Sequence, residues 1–140
     1  MGYDGMNITV TLTGGRKVEA EVGGRRIETD QPKQSGGDGS APTPFDLFLA
    51  SIATCSGYYV LDFCRARNIS TERIQLVMRL ERHADKGMIG KVSIEIQLPA
   101  EFPERYRVPV ARVADLCSVK KHILDPPAFE TYVTVGGMRV

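Results

Sequence analysis

The chain has 140 residues, 42% hydrophobic and 25% charged, a balance that suits one globular domain with its own core and excludes disorder, collagen-like sequence and a coiled coil. Its 18 basic and 17 acidic side chains leave a formal charge of +1, so neither nucleic acid nor a membrane is expected as a partner. Three cysteines are too few, and odd in number, for a disulfide framework; with no cationic, apolar leader they point to a reducing cytoplasm, where an unpaired thiol packs or reacts.

Taken in chain order, the first third reads as three short strands. Ile8 to Thr13 and Lys17 to Val22 alternate apolar with polar residues, Arg25 to Asp30 follows, and Gly14-Gly15 and Gly23-Gly24 join them as an antiparallel meander. Gln31 to Pro44 holds three glycines and three prolines and reads as a loop. A helix is expected in the run from Phe45 to Ile69, with Thr43 as N-cap, Pro44 at its first position, Asp46 favouring its positive end and the stop at Arg65-Ala66-Arg67-Asn68, where cations suit the C-terminal end. Leu47 to Leu61 carries no formal charge and is apolar nearly all round, which predicts a central, wholly buried helix; Asp46 and Asp62 cut the run below the length of a bilayer span. Arg73 to Ala84 and Met88 to Leu98 then alternate as a hairpin, with Ile74, Leu76, Met78 and Leu80 on one face and Val92, Ile94, Ile96 and Leu98 answering them. A second helix is expected over roughly Pro103 to Leu124, kinked near Pro109, and a last strand from Phe129 to Val135. The order βββ-α-ββ-α-β is an α+β arrangement with largely antiparallel sheets around a buried helix.

The chemistry-bearing residues are few. Cys55 lies mid-helix, Cys64 near that helix's end and Cys117 on the second helix, and no C-x-x-C pattern is present. With only His83 and His122 besides, no metal site is expected, and no cofactor motif appears. His122 stands five residues beyond Cys117, about 140° round a helix, so the two do not share a face. Cys55 has two readings. Free cysteine commonly packs as a small hydrophobe, yet Ser51, Thr54, Ser56, Gly57, Tyr58 and Tyr59 surround this one with small and hydroxylic groups able to support a thiolate. Lys120 and Lys121 lie one turn beyond Cys117, where cations lower a thiol's pKa but also mark an ordinary solvated face. Cys64 ends an apolar stretch and reads as packing.

The run Gly39-Ser40-Ala41-Pro42-Thr43-Pro44-Phe45-Asp46-Leu47-Phe48-Leu49-Ala50-Ser51-Ile52-Ala53-Thr54-Cys55-Ser56-Gly57 resembles the loop and central-helix motif of the OsmC/Ohr family. Ala114-Asp115-Leu116-Cys117-Ser118-Val119 is similar to that family's second cysteine motif, and the order of elements fits from end to end. The resemblance implies a single OsmC-like domain over residues 1–140, an intertwined homodimer, and a thiol peroxidase with an antioxidant, stress-response role. In that role Cys55 attacks an organic hydroperoxide, Cys117 resolves the sulfenic acid as a disulfide, and a dithiol partner reduces it. Phe45, Phe48, Tyr58 and Tyr59 are the candidates for packing an apolar substrate.

Two departures make the chain resemble the broader OsmC-like branch more than the family's Ohr peroxidases. The family's peroxidases carry a glutamate where Phe45 stands, and an upstream arginine that neither Arg25 nor Arg26 clearly matches; Asp46, one place on, points about 100° away. Ser118 follows Cys117 where a proline is usual. The alternative function is therefore an OsmC-fold protein that binds a small or lipid-like molecule, with weak or no peroxidase activity.

Overall fold

Gly23 and Gly24 both take positive φ, 55° and 74°, the pair of left-handed residues that a two-residue hairpin turn demands. They join strand β2 (Lys17–Val22) to β3 (Arg25–Thr29), and β1 (Thr9–Gly14) pairs on the other side of β2, giving an antiparallel sheet in the order β1-β2-β3. Gly14 pairs with Lys17, so the first turn is Gly15-Arg16, one place later than the Gly14-Gly15 joint expected. The computed structural model describes residues 2–140, which form two compact units divided between Ser51 and Ile52, inside the long helix.

In the first unit, the loop after β3 is organised by Asp30, which is 1% exposed. Its carboxylate accepts from the backbone N–H of Gln31 (2.8 Å), Asp38 (3.2 Å) and Ser40 (3.1 Å) and from the Ser40 hydroxyl (2.7 Å). The Ser40 hydroxyl and the N–H donors prevail over burial and hold this carboxyl at about 2. Gly37 passes so close that a Cβ there would overlap the Gln31 carbonyl and the Asp30 carboxylate. The helix α1 (Pro44–Arg65) starts where the sequence places it. Thr43 Oγ1 accepts from the Asp46 N–H at 3.1 Å while Asp46 Oδ2 accepts from the Thr43 N–H at 3.0 Å, a reciprocal capping box that occupies the Asp46 carboxylate.

In the second unit, α1 ends at Arg65, the first residue of the expected stop Arg65-Ala66-Arg67-Asn68 and four short of Ile69, the end of the expected run. Asn68 turns left-handed at φ 53°, and the Ile69 N–H closes on the Cys64 carbonyl at 2.9 Å. The hairpin of β4 (Gln75–Arg82) and β5 (Ile89–Gln97) pairs the two apolar faces read from the sequence, with Leu76 opposite Ile96, Met78 opposite Ile94 and Leu80 opposite Val92. Val60, Phe63 and Cys64 of α1 form the core with Phe102, Val110 and Ala114, and Leu76, Ile96 and Leu98 from the hairpin pack against it.

Three expectations are corrected here. The helix expected over Pro103 to Leu124 is a 3-10 turn (Glu104–Tyr106) followed by two helices, α2 (Arg107–Ala114) and α3 (Ser118–Leu124). Pro109 lies in the first turn of α2, where it costs no helical hydrogen bond; the break comes instead at Asp115 to Cys117. The strand expected over Phe129 to Val135 shrinks to β6 (Thr134–Val135), which pairs with β7 (Met138–Arg139) across the positive-φ pair Gly136-Gly137. Finally, α1 is not buried all round within one chain: Phe45, Phe48, Tyr58 and Leu61 stay exposed while Ile52, Ser56, Val60, Phe63 and Cys64 face inward. By length and composition α1 could cross a bilayer, but its inward face is part of a protein core.

Candidate thiol site

On a helix, residues three and four apart share a face, so Ile52, Cys55, Ser56 and Tyr59 of α1 project together. That face carries the break between α2 and α3. Ser56 Oγ donates to the Ala114 carbonyl at 3.1 Å, the Cys117 thiol donates to the Ile52 carbonyl at 3.9 Å, and Tyr59 Oη meets Ser118 Oγ at 3.3 Å. Residues 114 to 118 are thus laid along one side of α1 by contacts on either side of Cys55. Ser56 is fully buried yet hydrogen-bonded, which explains a hydroxyl inside an otherwise apolar helix face.

Cys117 is fully buried and is the N-cap of α3. Its backbone is extended, at φ −47° and ψ 122°, and its sulfur accepts the Lys120 N–H at 3.5 Å. The sequence reading put Cys117 inside a helix; the cap position frees its side chain to reach back to α1.

Cys55 is partly exposed, and its thiol meets Cys117. Burial works against its ionisation, but the Val119 N–H, the Cys117 thiol, the Ser118 N–H and the positive charge of Lys120 outweigh it and hold Cys55 below the ordinary thiol value. Cys64 is the opposite case: buried in the core, its thiol is pushed up, with Arg67 offsetting part of the effect. The three cysteines therefore divide into a partly exposed thiol shifted down, a buried neighbour in contact with it, and a buried core thiol shifted up. Disulfide formation between the first two requires closure to about 2.05 Å between sulfurs.

The other sequence candidates are placed as follows. Tyr59 reaches Ser118, and Tyr58, 60% exposed, lies edge-on to Tyr59 with ring centres 5.7 Å apart. Phe45 and Phe48 lie against each other, 5.5 Å between centres, on the part of α1 that belongs to the first unit. Arg26 pairs with Glu19 and Glu28 on the meander, and Arg25 is an exposed residue of β3. Asp46 is engaged in the helix cap. His122 turns back to the Ser118 carbonyl at 2.6 Å. No cluster of metal-ligating side chains occurs among the described residues.

Sequence reasoning missed the backbone donors of Ser118 and Val119 and the action of Lys120 on Cys55. Continuous helical spacing from Val110 to Lys121 hid the break that creates all three. The cue that was present is Ser118 itself, which keeps an N–H that proline lacks.

The family model of OsmC-like proteins matches residues 37–131, more than half of the chain and spanning both cysteines of the site. The chain belongs to the OsmC-like family. No curated protein matches it. Among solved structures it is similar to a protein from Psychrobacter arcticus 273-4 named for osmotic stress induction and a detoxification response, at 25% identity and TM-score 0.71, covering 86% of this chain and 90% of that one. An OsmC-like protein from Mycoplasma pneumoniae has 14% identity and TM-score 0.68, with 89% and 91% covered. A protein from Legionella pneumophila, named organic hydroperoxide resistance protein OsmC, has 20% identity and TM-score 0.55, with 88% and 91% covered. The α+β architecture, with antiparallel sheets and three helices, is that of OsmC-like folds.

Proposed function

We propose that this OsmC-like protein is a cytoplasmic thiol peroxidase that reduces organic hydroperoxides in a stress response. The observation that carries the reading is the contact of Cys55 with Cys117 at a point where two backbone N–H groups and a lysine favour the Cys55 thiolate. The name of the Legionella pneumophila structure supports the substrate class.

In the proposed cycle the Cys55 thiolate attacks the terminal peroxide oxygen and the O–O bond breaks; the alkoxide leaves and takes a proton to become an alcohol, leaving a Cys55 sulfenic acid. The Cys117 thiol then attacks the sulfenic sulfur, forming the disulfide and releasing water. Two electrons from an external dithiol return both cysteines to thiols. The apolar part of the substrate is assigned to Tyr58 and Tyr59, with Phe45 and Phe48 as further contacts.

A homodimer is part of the proposal. What supports it is the neighbouring exposed pair Phe45 and Phe48 on α1, an apolar surface that a second copy would cover.

The test is consumption of cumene hydroperoxide in the presence of dithiothreitol. Wild type and Cys64→Ser turn over and Cys55→Ser does not; Cys117→Ser, treated with the hydroperoxide after dithiothreitol is removed, keeps Cys55 as a sulfenic acid. Equal slow rates in wild type and Cys55→Ser would refute the peroxidase reading and leave the family fold serving as a small-molecule binder.

A further inference from the structure

The two serines of α1 use their hydroxyls differently. A serine inside a helix commonly bonds back to its own helix, and Ser51 does so, donating to the Phe48 carbonyl at 2.6 Å. Ser56 is fully buried and donates instead across 58 residues of chain, to the Ala114 carbonyl at 3.1 Å. Ala114 is the last residue of α2 and is itself buried, and the final carbonyls of a helix have no partner within it. The turn that follows returns the Asp115 N–H to Arg112 and Val113 and the Leu116 N–H to Val113, while the Ala114 carbonyl takes the Ser56 hydroxyl. A buried carbonyl has to be satisfied, so this bond fixes where α2 ends against α1. Cys117 follows three residues later. Its own bond to α1, to the Ile52 carbonyl at 3.9 Å, comes from a thiol, which is a weak donor, and the Tyr59 contact with Ser118 at 3.3 Å is only partly buried. Ser56 is therefore the buried anchor of the segment that carries Cys117.

We propose that Ser56 is a positioning residue for Cys117: by holding the end of α2 it places the Cys117 thiol for attack on an oxidised Cys55, a role that rests on the thiol reading of the site. The step it serves is the second one. Once the hydroperoxide has left as an alcohol and Cys55 is a sulfenic acid, the Cys117 sulfur attacks the Cys55 sulfur, the S–O bond breaks, and the hydroxide leaves with the Cys117 proton as water. Ser56 gives and takes neither proton nor electron in this. The two sulfurs must close to about 2.05 Å, and a misplacement of about 1 Å in such a step can cost about a hundredfold in rate. Without the Ser56 hydroxyl the buried Ala114 carbonyl loses its donor, and the end of α2 shifts to find another. Cys117, three residues on, shifts with it.

The experiment gives the full-length reduced protein one equivalent of cumene hydroperoxide in a fixed excess of dimedone, which competes with Cys117 for the Cys55 sulfenic acid. Peptide mass spectrometry then gives the ratio of the Cys55–dimedone adduct to the Cys55–Cys117 disulfide. That ratio reads the second step alone, whatever the rate of the first. Two pairs are compared: Ser56→Ala with wild type, and Ser56→Val with Ser56→Thr, which share a shape and differ in the hydroxyl. In each pair the chain without the hydroxyl shows a ratio at least about tenfold higher, within the hundredfold that a displacement of about 1 Å can bring. Far-UV circular dichroism checks folding, and the Val and Thr pair carries the test if Ser56→Ala does not fold. Equal ratios within a folded pair overturn the role of Ser56 and leave the thiol reading standing. A wild type that forms no Cys55–Cys117 disulfide, even without dimedone, overturns both.

Discussion

Replacing Ser118 by proline tests the backbone half of the thiol site with little cost to the fold. Ser118 is the first residue of α3, the helical position where proline is best tolerated because its N–H has no helical partner. The residue before a proline must be extended, and Cys117 already is, at φ −47° and ψ 122°. What Ser118→Pro removes is the N–H that faces Cys55. A hydrogen bond to a charged group is worth about 1.5–3 kcal/mol, and one pKa unit corresponds to about 1.4 kcal/mol. Because Cys55 is partly exposed, the lower end applies, and the midpoint of its ionisation should rise. Alkylation well below the midpoint would slow about tenfold, in proportion to the thiolate. The substitution also removes the hydroxyl that meets Tyr59, so Ser118→Ala is the control: it loses the hydroxyl, keeps the N–H, and should leave the profile where it is. The assay is the iodoacetamide pH profile of the Cys55 peptide. An unchanged midpoint in Ser118→Pro, or an equal shift in Ser118→Ala, would refute the assignment of the Ser118 N–H as a thiolate donor.

Other outcomes follow from the same structure. Cys117→Ser places a hydroxyl, itself a favoured N-cap, at the start of α3, so its thermal melt stays near wild type while treatment with hydroperoxide leaves a dimedone-reactive Cys55 and no disulfide. Phe63→Ala opens the core where Phe63 packs with Val60, Val110 and the Tyr106 ring and lies under Arg67; urea unfolding should show a loss of about 3–5 kcal/mol, and a loss below 1 would contradict the core assignment. Asp30 binds its proton more weakly folded, at about 2, than unfolded, at about 3.9, so its stabilisation is present above the unfolded value and is lost as pH falls through the folded one. Thermal stability should therefore drop between about pH 4 and pH 2, and Asp30→Asn should start lower and lose the Asp30 share of that drop; an identical pH dependence in the variant would show that Asp30 is not its source.

The parts of the fold written in local sequence were legible. Gly23-Gly24 can only be a tight hairpin turn, Thr43 with Asp46 is a reciprocal cap, and Leu76, Met78 and Leu80 alternate as a strand with one buried face. The Gly136-Gly137 hairpin was equally readable and was passed over because the strands it joins are two residues long. The break before α3 was not legible, since Val110, Val113, Cys117 and Lys120 keep helical spacing through it and only tertiary contacts with Ile52, Ser56 and Tyr59 hold it open. The choice of Cys55 and Cys117 over Cys64 could be made from motif resemblance, but the groups that separate them chemically come from backbone donors, and a backbone N–H has no letter in the sequence. The expected burial of α1 fails within one chain because Phe45, Phe48 and Tyr58 are exposed in it; the proposed dimer would cover them.

The measurement that bears most directly on the account treats the reduced protein with one equivalent of an organic hydroperoxide, quenches it within seconds, and maps the cysteines by intact and peptide mass spectrometry. The account predicts a loss of two hydrogens, a Cys55–Cys117 disulfide, and Cys64 still a free thiol. Three surviving thiols, or slow oxidation that does not discriminate among them, would contradict it.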